Sequence, residues 1–474
     1  MSTMRRDLSR PIMLLIGLAY LTLLAVALIR MHLDPEVVAS LTIGGIGLVV
    51  LALRPYLGIH AFIAVMYLEN VLPSEGGVTG PKVLGAVILA GWLLSAAVRR
   101  QLGIRLNAFV FVMLAFVIWS GVCTVYAIDA DLALTRVFSF VQLAGATLMF
   151  ISVIDHPDRM RGVQWAIVLW TFFAAIFAVS EYYLGLTPVA VGFVGNRNGL
   201  AGGISIAIVS TYLLYQSNPG RLAKLFLISS LPVFFLGLAL TLSRTGFIML
   251  AVGLLAVWYR ILRDKGILIL AGSVAVFCLI AILLPSTVLQ RVGSIVPAIR
   301  QQRDTFGTRV RLWQAGMRMI DDRPVFGVGP ANFNTALPRY SGAELANLHL
   351  VAHNAYVSVG AEMGLVGLAL FLIMYVLAFR EAGFALRWGR RTGSKESELH
   401  ALATEISLIL VMTGALTHSS ETIKFNWMCL GLAVGIGQVA RRATSTAAAE
   451  ARGRALGAVT KSAGHAEIEP ARQG

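Results

Sequence analysis

The chain is poor in charged residues. Only 13% of its 474 residues are Asp, Glu, Lys or Arg, whereas 57% are hydrophobic and the mean hydropathy is +0.77. Apolar runs long enough to cross a bilayer recur from Pro11 almost to Arg441, which excludes an ordinary soluble domain. These runs also lack the alternating polarity of transmembrane β-strands, which excludes a β-barrel. The composition therefore predicts an α-helical membrane protein.

Cysteine is nearly absent as well. The sequence contains three cysteines, Cys123, Cys278 and Cys429, which lie far apart and each within a predicted span. This spacing excludes a disulfide framework and shows no cysteine metal site. We expect all three to be small core residues.

The apolar runs define the predicted fold, an all-α polytopic integral membrane helical bundle of about 12–14 transmembrane helices. The predicted spans are residues 11–29, 36–53, 56–72, 83–98, 107–126, 134–154, 163–184, 199–216, 222–242, 245–262, 266–284, 354–379, 399–418 and 425–440. They divide the chain into N-terminal transmembrane helices (1–284), a periplasmic loop domain with short helices (285–352), C-terminal transmembrane helices (353–440) and a cytoplasmic tail (441–474). The tail is rich in Ala, Gly, Arg and Ser without a sustained apolar face, so we expect it to be disordered.

The distribution of positive charge predicts the orientation. With both termini in the cytoplasm, most of the 39 Lys and Arg residues fall on the cytoplasmic side, as the positive-inside rule requires. The net charge of +15 follows largely from this bias and from the basic tail, and it gives no indication of nucleic-acid binding. The long loop, Arg197, Arg244 and His353 are then all on the periplasmic face.

One long hydrophilic interval, residues 286–352, interrupts the apolar sequence and ends at His353-Asn354. A titratable imidazole where a polar loop re-enters an apolar helix is suited to proton transfer at the membrane surface. The alternative is a histidine that only anchors a helix end. The residues around it decide between these interpretations.

Two short connections carry further polar groups. In the segment 192–199, Asn196, Arg197 and Asn198 lie among glycines, which permit close approach of the backbone to a phosphate or sugar. The same residues also suit a plain tight turn. Arg244 lies between two apolar runs with almost no loop, where a guanidinium is costly unless it snorkels or meets an anion.

Residues 308–320 predict an amphipathic helix that could lie on the bilayer surface. The expected apolar face consists of Leu312, Trp313, Gly316, Met317 and Ile320. Arg309 shares one face with Trp313, and Arg311 shares another with Arg318. Either arginine set suits a phosphate or anionic headgroups. The Pro- and Gly-rich segment 322–333 then predicts an ordered, irregular loop.

In this order, these features resemble the O-antigen ligase family of polytopic bacterial glycosyltransferases. The resemblance depends on the Gly-Asn-Arg-Asn turn at 195–198, Ser-Arg-Thr-Gly at 243–246, the stretch 309–333 with Leu312-Trp313 and Gly327-Val328-Gly329-Pro330, and His353-Asn354 followed by Gly364 and Gly367. Each motif is weak alone. Together, in order and on one predicted face, they are fairly specific.

The resemblance implies a donor glycan linked to undecaprenyl pyrophosphate and a catalytic histidine in a long periplasmic loop. By position, His353 would be catalytic, and Arg244, Arg197 and either Arg309 or Arg311 would bind the donor pyrophosphate. The supporting residues would be Asn196, Asn198, Asn354 and Trp313. The acceptor implied first is lipid A-core, on the periplasmic face of the bacterial inner membrane.

The chemistry of glycosyl transfer is consistent with these residues. The departing pyrophosphate needs fixed cations or a metal, and the sequence offers arginines but no outer-face Asp/Glu cluster suited to Mg²⁺. We therefore expect a metal-independent reaction without cofactors. A neutral His353 would accept the proton of the acceptor hydroxyl, and direct displacement would invert the anomeric configuration.

Several nearby residues have alternative roles. His349 lies four residues before His353 and would permit a zinc site, but no third ligand is evident. Glu362 is expected to pair with a polar neighbour rather than share in catalysis. His418 and Glu421, at the outer end of a span, could enter the site, although a hydrogen bond at a helix end is the simpler interpretation.

The sequence thus predicts an O-antigen ligase that acts in lipopolysaccharide biosynthesis. A repeat-unit polymerase or a protein O-oligosaccharyltransferase of the same superfamily would share the motifs. A lipid-linked saccharide flippase would share the composition but would not need His353. The sequence does not specify the sugar, its chain length or the oligomeric state.

Overall fold

The computed structural model describes residues 46–68, 74–99, 104–262, 305–341 and 350–466, apart from residues 48, 52, 76, 77, 105 and 218. The chain is almost entirely helical in these ranges. The helices are α1 (Pro55–Tyr67), α2 (Gly80–Arg99), α3 (Ala108–Thr124), α4 (Ala130–Val153), α5 (Pro157–Tyr183), α6 (Arg197–Gln216), α7 (Arg221–Leu240), α8 (Arg244–Val257), α9 (Thr305–Asp322), α10 (Phe333–Tyr340), α11 (Ala355–Thr392), α12 (Lys395–Ala415) and α13 (Lys424–Ala466).

The remaining elements are small. A two-residue antiparallel pair, β1 (Ser74–Glu75) with β2 (Val78–Thr79), precedes α2. A 3₁₀ turn (Gly192–Val194) precedes α6, and a π turn (Trp258–Leu262) continues α8.

Within the described part of the chain, six helices are long and apolar enough to cross a membrane: α4, α5, α6, α7, α11 and α12. Shorter apolar helices, among them α1 and α3, lie beside them. The all-α polytopic fold is therefore confirmed, and the predicted spans from 56–72 to 245–262 and from 354–379 onward each coincide with a helix. The predicted spans 11–29 and 266–284, most of 36–53, and Cys278 lie outside the described residues.

Polar caps determine where the helices of the site begin. The Asn196 side chain accepts hydrogen bonds from the backbone N–H groups of Asn198 and Gly199, which starts α6. Ser243 caps α8 through Gly246 in the same way, and Asn354 caps α11. Such caps satisfy N–H groups that have no partner within the helix. As a result, Arg197 and Arg244 are each the first residue of a helix.

Aromatic packing joins the helices around the site. Phe116 of α3, Phe140 of α4, Phe371 of α11 and Trp427 of α13 are all almost fully buried and stack against one another with ring centroids 5.1–6.2 Å apart. Aromatic pairs of this kind contribute about 0.5–1.5 kcal/mol each beyond burial. These ring contacts, which are edge-on or tilted, join the four helices to one another.

Helix α11 is interrupted at Gly364, whose backbone is left-handed (φ 68°, ψ −174°). The Leu365 N–H donates to the Pro324 carbonyl oxygen at 2.7 Å, so the segment after α9 crosses the interruption. A Cβ on Gly364 would lie 2.1 Å from the Val325 carbonyl oxygen. Glycine is therefore required here both by backbone conformation and by close approach. This explains the first glycine of the Gly-x-x-Gly motif.

The backbone groups freed by the interruption are satisfied by the same segment. Val328 N–H donates to the Ala361 carbonyl oxygen at 2.9 Å and Gly329 N–H to that of Glu362 at 3.0 Å. The Trp119 indole N–H of α3 donates to the Met363 carbonyl oxygen at 2.9 Å. Because unsatisfied backbone groups are costly in an apolar setting, these bonds fix the loop domain on α11.

The predicted amphipathic helix is confirmed as α9, but its apolar face does not have the predicted composition. Leu312 and Ile320 are buried as expected, together with Ala315 and Met319, whereas Met317 is 51% exposed. These buried residues pack with α10, the 328 loop and the start of α11 rather than on a bilayer surface. Because α9 packs against other parts of the protein, its buried face includes Ala315 and Met319 and leaves out Met317.

The end of the chain also differs from its prediction. Helix α13 continues through Ala466, whereas disorder was expected from residue 441. Alanine has the highest helix propensity, and the alanine-rich composition of this segment extends the helix beyond the apolar part. The prediction of disorder, which was based on the low hydrophobicity of the tail, was wrong for residues 441–466.

Candidate functional site

The starts of α6 and α8 lie side by side. The Ser243 hydroxyl donates to the Asn198 side-chain oxygen at 2.7 Å and accepts from the Gly246 N–H, so one serine links both helix ends. Helix N-termini carry partial positive charge and unsatisfied N–H groups, which favour anions. Arg197 and Arg244 add two full positive charges at this place.

Arg309 of α9 completes a cluster of three arginines with Arg197 and Arg244, which we call the arginine cluster. Arg309 is partly buried, and its pKa is lowered by burial and by the positive charges of Arg244 and Arg197. The charges of Arg197 and Arg244 therefore both act on the Arg309 guanidinium. Such an arrangement is stabilised by an anion that contacts all three.

The structure separates Arg309 from Arg311. Arg311 is exposed, whereas Arg309 is partly buried and lies in the field of the charges of Arg244 and Arg197. The sequence left this pair undecided. In the structure, the buried face of α9 that contains Leu312 packs against α10 and α11, and Arg309 and Arg311 differ in exposure.

His353 lies directly before the cap of α11, beside the arginine cluster. Its backbone is left-handed (φ 50°), which is uncommon for a residue with a side chain and costs about 1 kcal/mol or more. The indole N–H of Trp313 donates to the Ala352 carbonyl oxygen at 2.9 Å, and the Asn354 side chain accepts from the Tyr356 and Val357 N–H groups. Two predicted supporting residues therefore hold the backbone on either side of His353.

The electrostatic setting keeps the His353 imidazole neutral. Burial lowers its pKa, and the positive charges of Arg309 and Arg197 lower it further. Its Nδ1 atom is buried and has no hydrogen-bond partner among the described residues. A neutral imidazole with an available ring nitrogen can accept a proton from a hydroxyl group.

His418 enters the same site. Its ring centroid lies 6.3 Å from that of His353, and burial, with contributions from His353 and Arg309, lowers its pKa to about 4. The hydrogen bond expected for it at a helix end is absent among the described residues, where its Nδ1 is buried without a partner. The sequence signal was a titratable residue at the outer end of a predicted span, which alone does not reveal this proximity.

A small pocket opens beside these residues, between α6, α8, α12 and the start of α13. Asn198, Thr245 and His418 line its polar end, and Ile206 and Met249 are among the apolar residues that line the rest. The pocket therefore connects the site with the apolar interior of the bundle.

Glu362 pairs with polar groups nearby, as the sequence predicts. Its carboxylate accepts hydrogen bonds from the N–H groups of Ala331 at 2.9 Å and Phe333 at 3.3 Å, at the start of α10. Negative charge at a helix N-terminus is favourable. Glu362 therefore connects α11 to the start of α10.

Arg136 was not identified from the sequence. It forms an ion pair with Glu421 at 3.0 Å, and the same carboxylate oxygen accepts from the Ser358 hydroxyl at 3.2 Å. These contacts connect α4, α11 and the segment after α12, which contains His418. The eight residues 342–349 are not among those that the structure describes, so His349 lies outside the described residues.

Within the described residues, no group of three or more His, Cys, Asp or Glu side chains is placed to hold a metal ion. The polar groups gathered at the site are instead cationic or neutral. This set suits an anionic, phosphate-bearing ligand next to a group that loses a proton.

The fold and the site define a multi-pass helical membrane protein with a cationic, histidine-containing centre where a loop domain meets the bundle. Residues 225–372 match the family model described as O-antigen ligase. This part of the chain is therefore similar to the O-antigen ligase family. It extends from α7 into α11 and includes Arg244, Arg309 and His353. The resemblance drawn from the motifs is thus confirmed. No curated protein matches the chain.

Proposed function

We propose that the protein is an O-antigen ligase, a metal-independent inverting glycosyltransferase. It transfers a glycan en bloc from undecaprenyl pyrophosphate to lipid A-core at the periplasmic face of the bacterial inner membrane, with both termini in the cytoplasm. The observation that carries the proposal is the meeting of three arginines and His353 at the starts of α6, α8 and α11. The family match supports glycosyltransferase activity of this general type.

The arginine cluster would bind the donor. Arg197, Arg244 and Arg309 supply positive charge where the pyrophosphate gains negative charge during bond cleavage, and the N-termini of α6 and α8 add their dipoles. Stabilisation of a leaving group in this way usually contributes several kcal/mol. Among the two arginines left open by the sequence, we assign this role to Arg309 and exclude Arg311, because Arg311 is exposed.

His353 would act as the base. Its neutral imidazole removes the proton from the acceptor hydroxyl while the acceptor oxygen forms a bond to the anomeric carbon. The bond from that carbon to the pyrophosphate oxygen breaks, and the pyrophosphate leaves with the electron pair. Attack from the side opposite the leaving group inverts the anomeric centre.

The test is transfer by the purified protein in the presence of EDTA, with a polyprenyl-pyrophosphate glycan as donor. Three acceptors are compared: lipid A-core, a second donor molecule and a protein acceptor. We expect product with lipid A-core, with inverted linkage by NMR. Product only with the second donor or only with protein would assign a polymerase or an oligosaccharyltransferase instead. No transfer to any acceptor would contradict a transferase and favour transport of the lipid-linked saccharide.

A further inference from the structure

His418 is a second imidazole next to the proposed base. The ring centroids of His353 and His418 lie 6.3 Å apart, with the ring planes tilted by 33°. Both Nδ1 atoms are buried and have no hydrogen-bond partner among the described residues. Because a buried polar atom without a partner is costly, two such atoms on adjacent rings indicate that a ligand supplies the missing hydrogen bonds.

The segment that carries His418 is held from two sides. The Thr417 hydroxyl donates to the Thr245 hydroxyl at 2.9 Å, next to the start of α8. On the other side, Glu421 accepts from Arg136 and from Ser358 of α11. These contacts fix the backbone without using the imidazole. The histidine side chain is therefore not needed to attach the segment.

His418 also lines a small pocket. Asn198 and Thr245, close to the starts of α6 and α8, line the same pocket. The distance between the two rings leaves room for one oxygen atom that forms a hydrogen bond of about 2.8 Å to a nitrogen of each ring. A hydroxyl group has the donor and the acceptor sites for this arrangement.

We propose that His353 and His418 together bind the acceptor hydroxyl, His353 by accepting its proton and His418 by donating a ring N–H to the same oxygen. This inference rests on the proposed function. His353 gains the proton as the oxygen bonds to the anomeric carbon, and the pyrophosphate leaves with its electron pair as described above. His418 remains neutral throughout, and its hydrogen bond directs one lone pair away so that another faces the anomeric carbon.

The electrostatics are consistent with this division of roles. Burial, with smaller contributions from the neighbouring His353 and Arg309, lowers the pKa of His418 to about 4, so His418 stays neutral at the pH where the reaction takes place. A neutral ring retains one N–H and does not compete for the proton. It also adds no further positive charge beside the arginine cluster.

Two variants test the role of His418 in turnover. His418→Leu removes the hydrogen-bonding groups, whereas His418→Gln retains a donor. We expect His418→Leu to lower kcat/KM for the acceptor by about 10- to 100-fold, with donor affinity unchanged, and His418→Gln to recover most of the loss. Activity of His418→Leu within about twofold of wild type, or equal losses in both variants, would overturn the proposal.

A second measurement does not depend on turnover. The ring nitrogens of ¹⁵N-histidine-labelled protein are followed by NMR as lipid A-core is added without donor. We expect the signals of His353 and His418 to shift together, and the His353 shift to weaken in His418→Leu. A shift of His353 alone, or of neither, would contradict the proposal.

The two measurements separate the proposals. Transfer without a response from His418 would leave the ligase function intact and remove the paired-histidine role. Joint shifts without transfer would support binding of a hydroxyl group by the pair and contradict the ligase.

Discussion

The indole N–H of Trp313 donates a 2.9 Å hydrogen bond to the carbonyl oxygen of Ala352, the residue before His353. This bond connects α9, which carries Arg309, to the strained backbone that carries His353. The position of the proposed base relative to the arginine cluster thus depends on one tryptophan. The loop domain and the bundle form the site jointly.

Trp313→Phe should lower turnover without loss of folding. The substitution removes one hydrogen bond, worth about 1 kcal/mol, and leaves the aromatic packing. We expect kcat to fall about five- to tenfold while donor affinity is unchanged. Trp92→Phe is the matched control, since Trp92 donates a similar indole hydrogen bond to Ser152 away from the site. Equal effects of the two substitutions would contradict a positioning role for Trp313.

Arg309 and Arg311 provide a paired test on one helix. Arg309→Ala removes a charge from the arginine cluster and should lower kcat/KM for the donor by about 10²- to 10³-fold. Arg311→Ala changes an exposed side chain and should stay within about threefold of wild type. The measurement is steady-state kinetics with varied donor. A larger loss in Arg311→Ala than in Arg309→Ala would contradict the assignment of Arg309 to the pyrophosphate.

The pH dependence of transfer should reflect the lowered pKa of His353. Burial and the charges of Arg309 and Arg197 favour the neutral ring, so the base remains active below the ordinary imidazole value of about 6.5. Activity is therefore constant near neutrality and falls only as the pH drops through the lowered pKa. Arg309→Lys keeps the positive charge, so the pH at which activity falls on the acid side should be the same as in wild type. If the activity of wild type fell on the acid side with an apparent pKa above about 6.5, the lowered pKa of His353 would be contradicted.

Gly364→Ala should disrupt docking of the loop domain. An added Cβ would lie 2.1 Å from the Val325 carbonyl oxygen, in addition to the cost of a left-handed backbone. Gly393→Ala is the control, because Gly393 has a similar φ of 69° but nothing within 4 Å of the added Cβ. We expect Gly393→Ala to cost about 1 kcal/mol and Gly364→Ala clearly more, as measured by thermal unfolding in detergent. Similar losses in stability would show that the close contact is not decisive.

Much of the fold could be predicted because apolar length and helix caps are local properties. Asn196, Ser243 and Asn354 each precede an apolar run in the sequence, and each caps a helix in the structure. The tail after residue 441 was the exception, since its polar composition indicated disorder while its alanines favour the observed helix.

The site was only partly predictable because it depends on tertiary contacts. Arg197, Arg244 and His353 could be listed from their places at span ends, but the choice of Arg309 over Arg311 required the orientation of α9. His418 and Arg136 lie far from the motifs in sequence. Their places follow from the ion pair of Arg136 with Glu421 and from the proximity of His418 to His353, which no local pattern records.

The most direct test of the central claim is transfer of a polyprenyl-pyrophosphate-linked glycan to lipid A-core by purified wild type, His353→Ala and Arg244→Ala, with folding checked by size-exclusion chromatography. Arg221→Ala is the matched control, because Arg221 is also the first residue of a helix but lies outside the site. We predict product from wild type and Arg221→Ala and a loss of about 10²-fold or more in the other two variants. Near-normal transfer by folded His353→Ala would contradict the account.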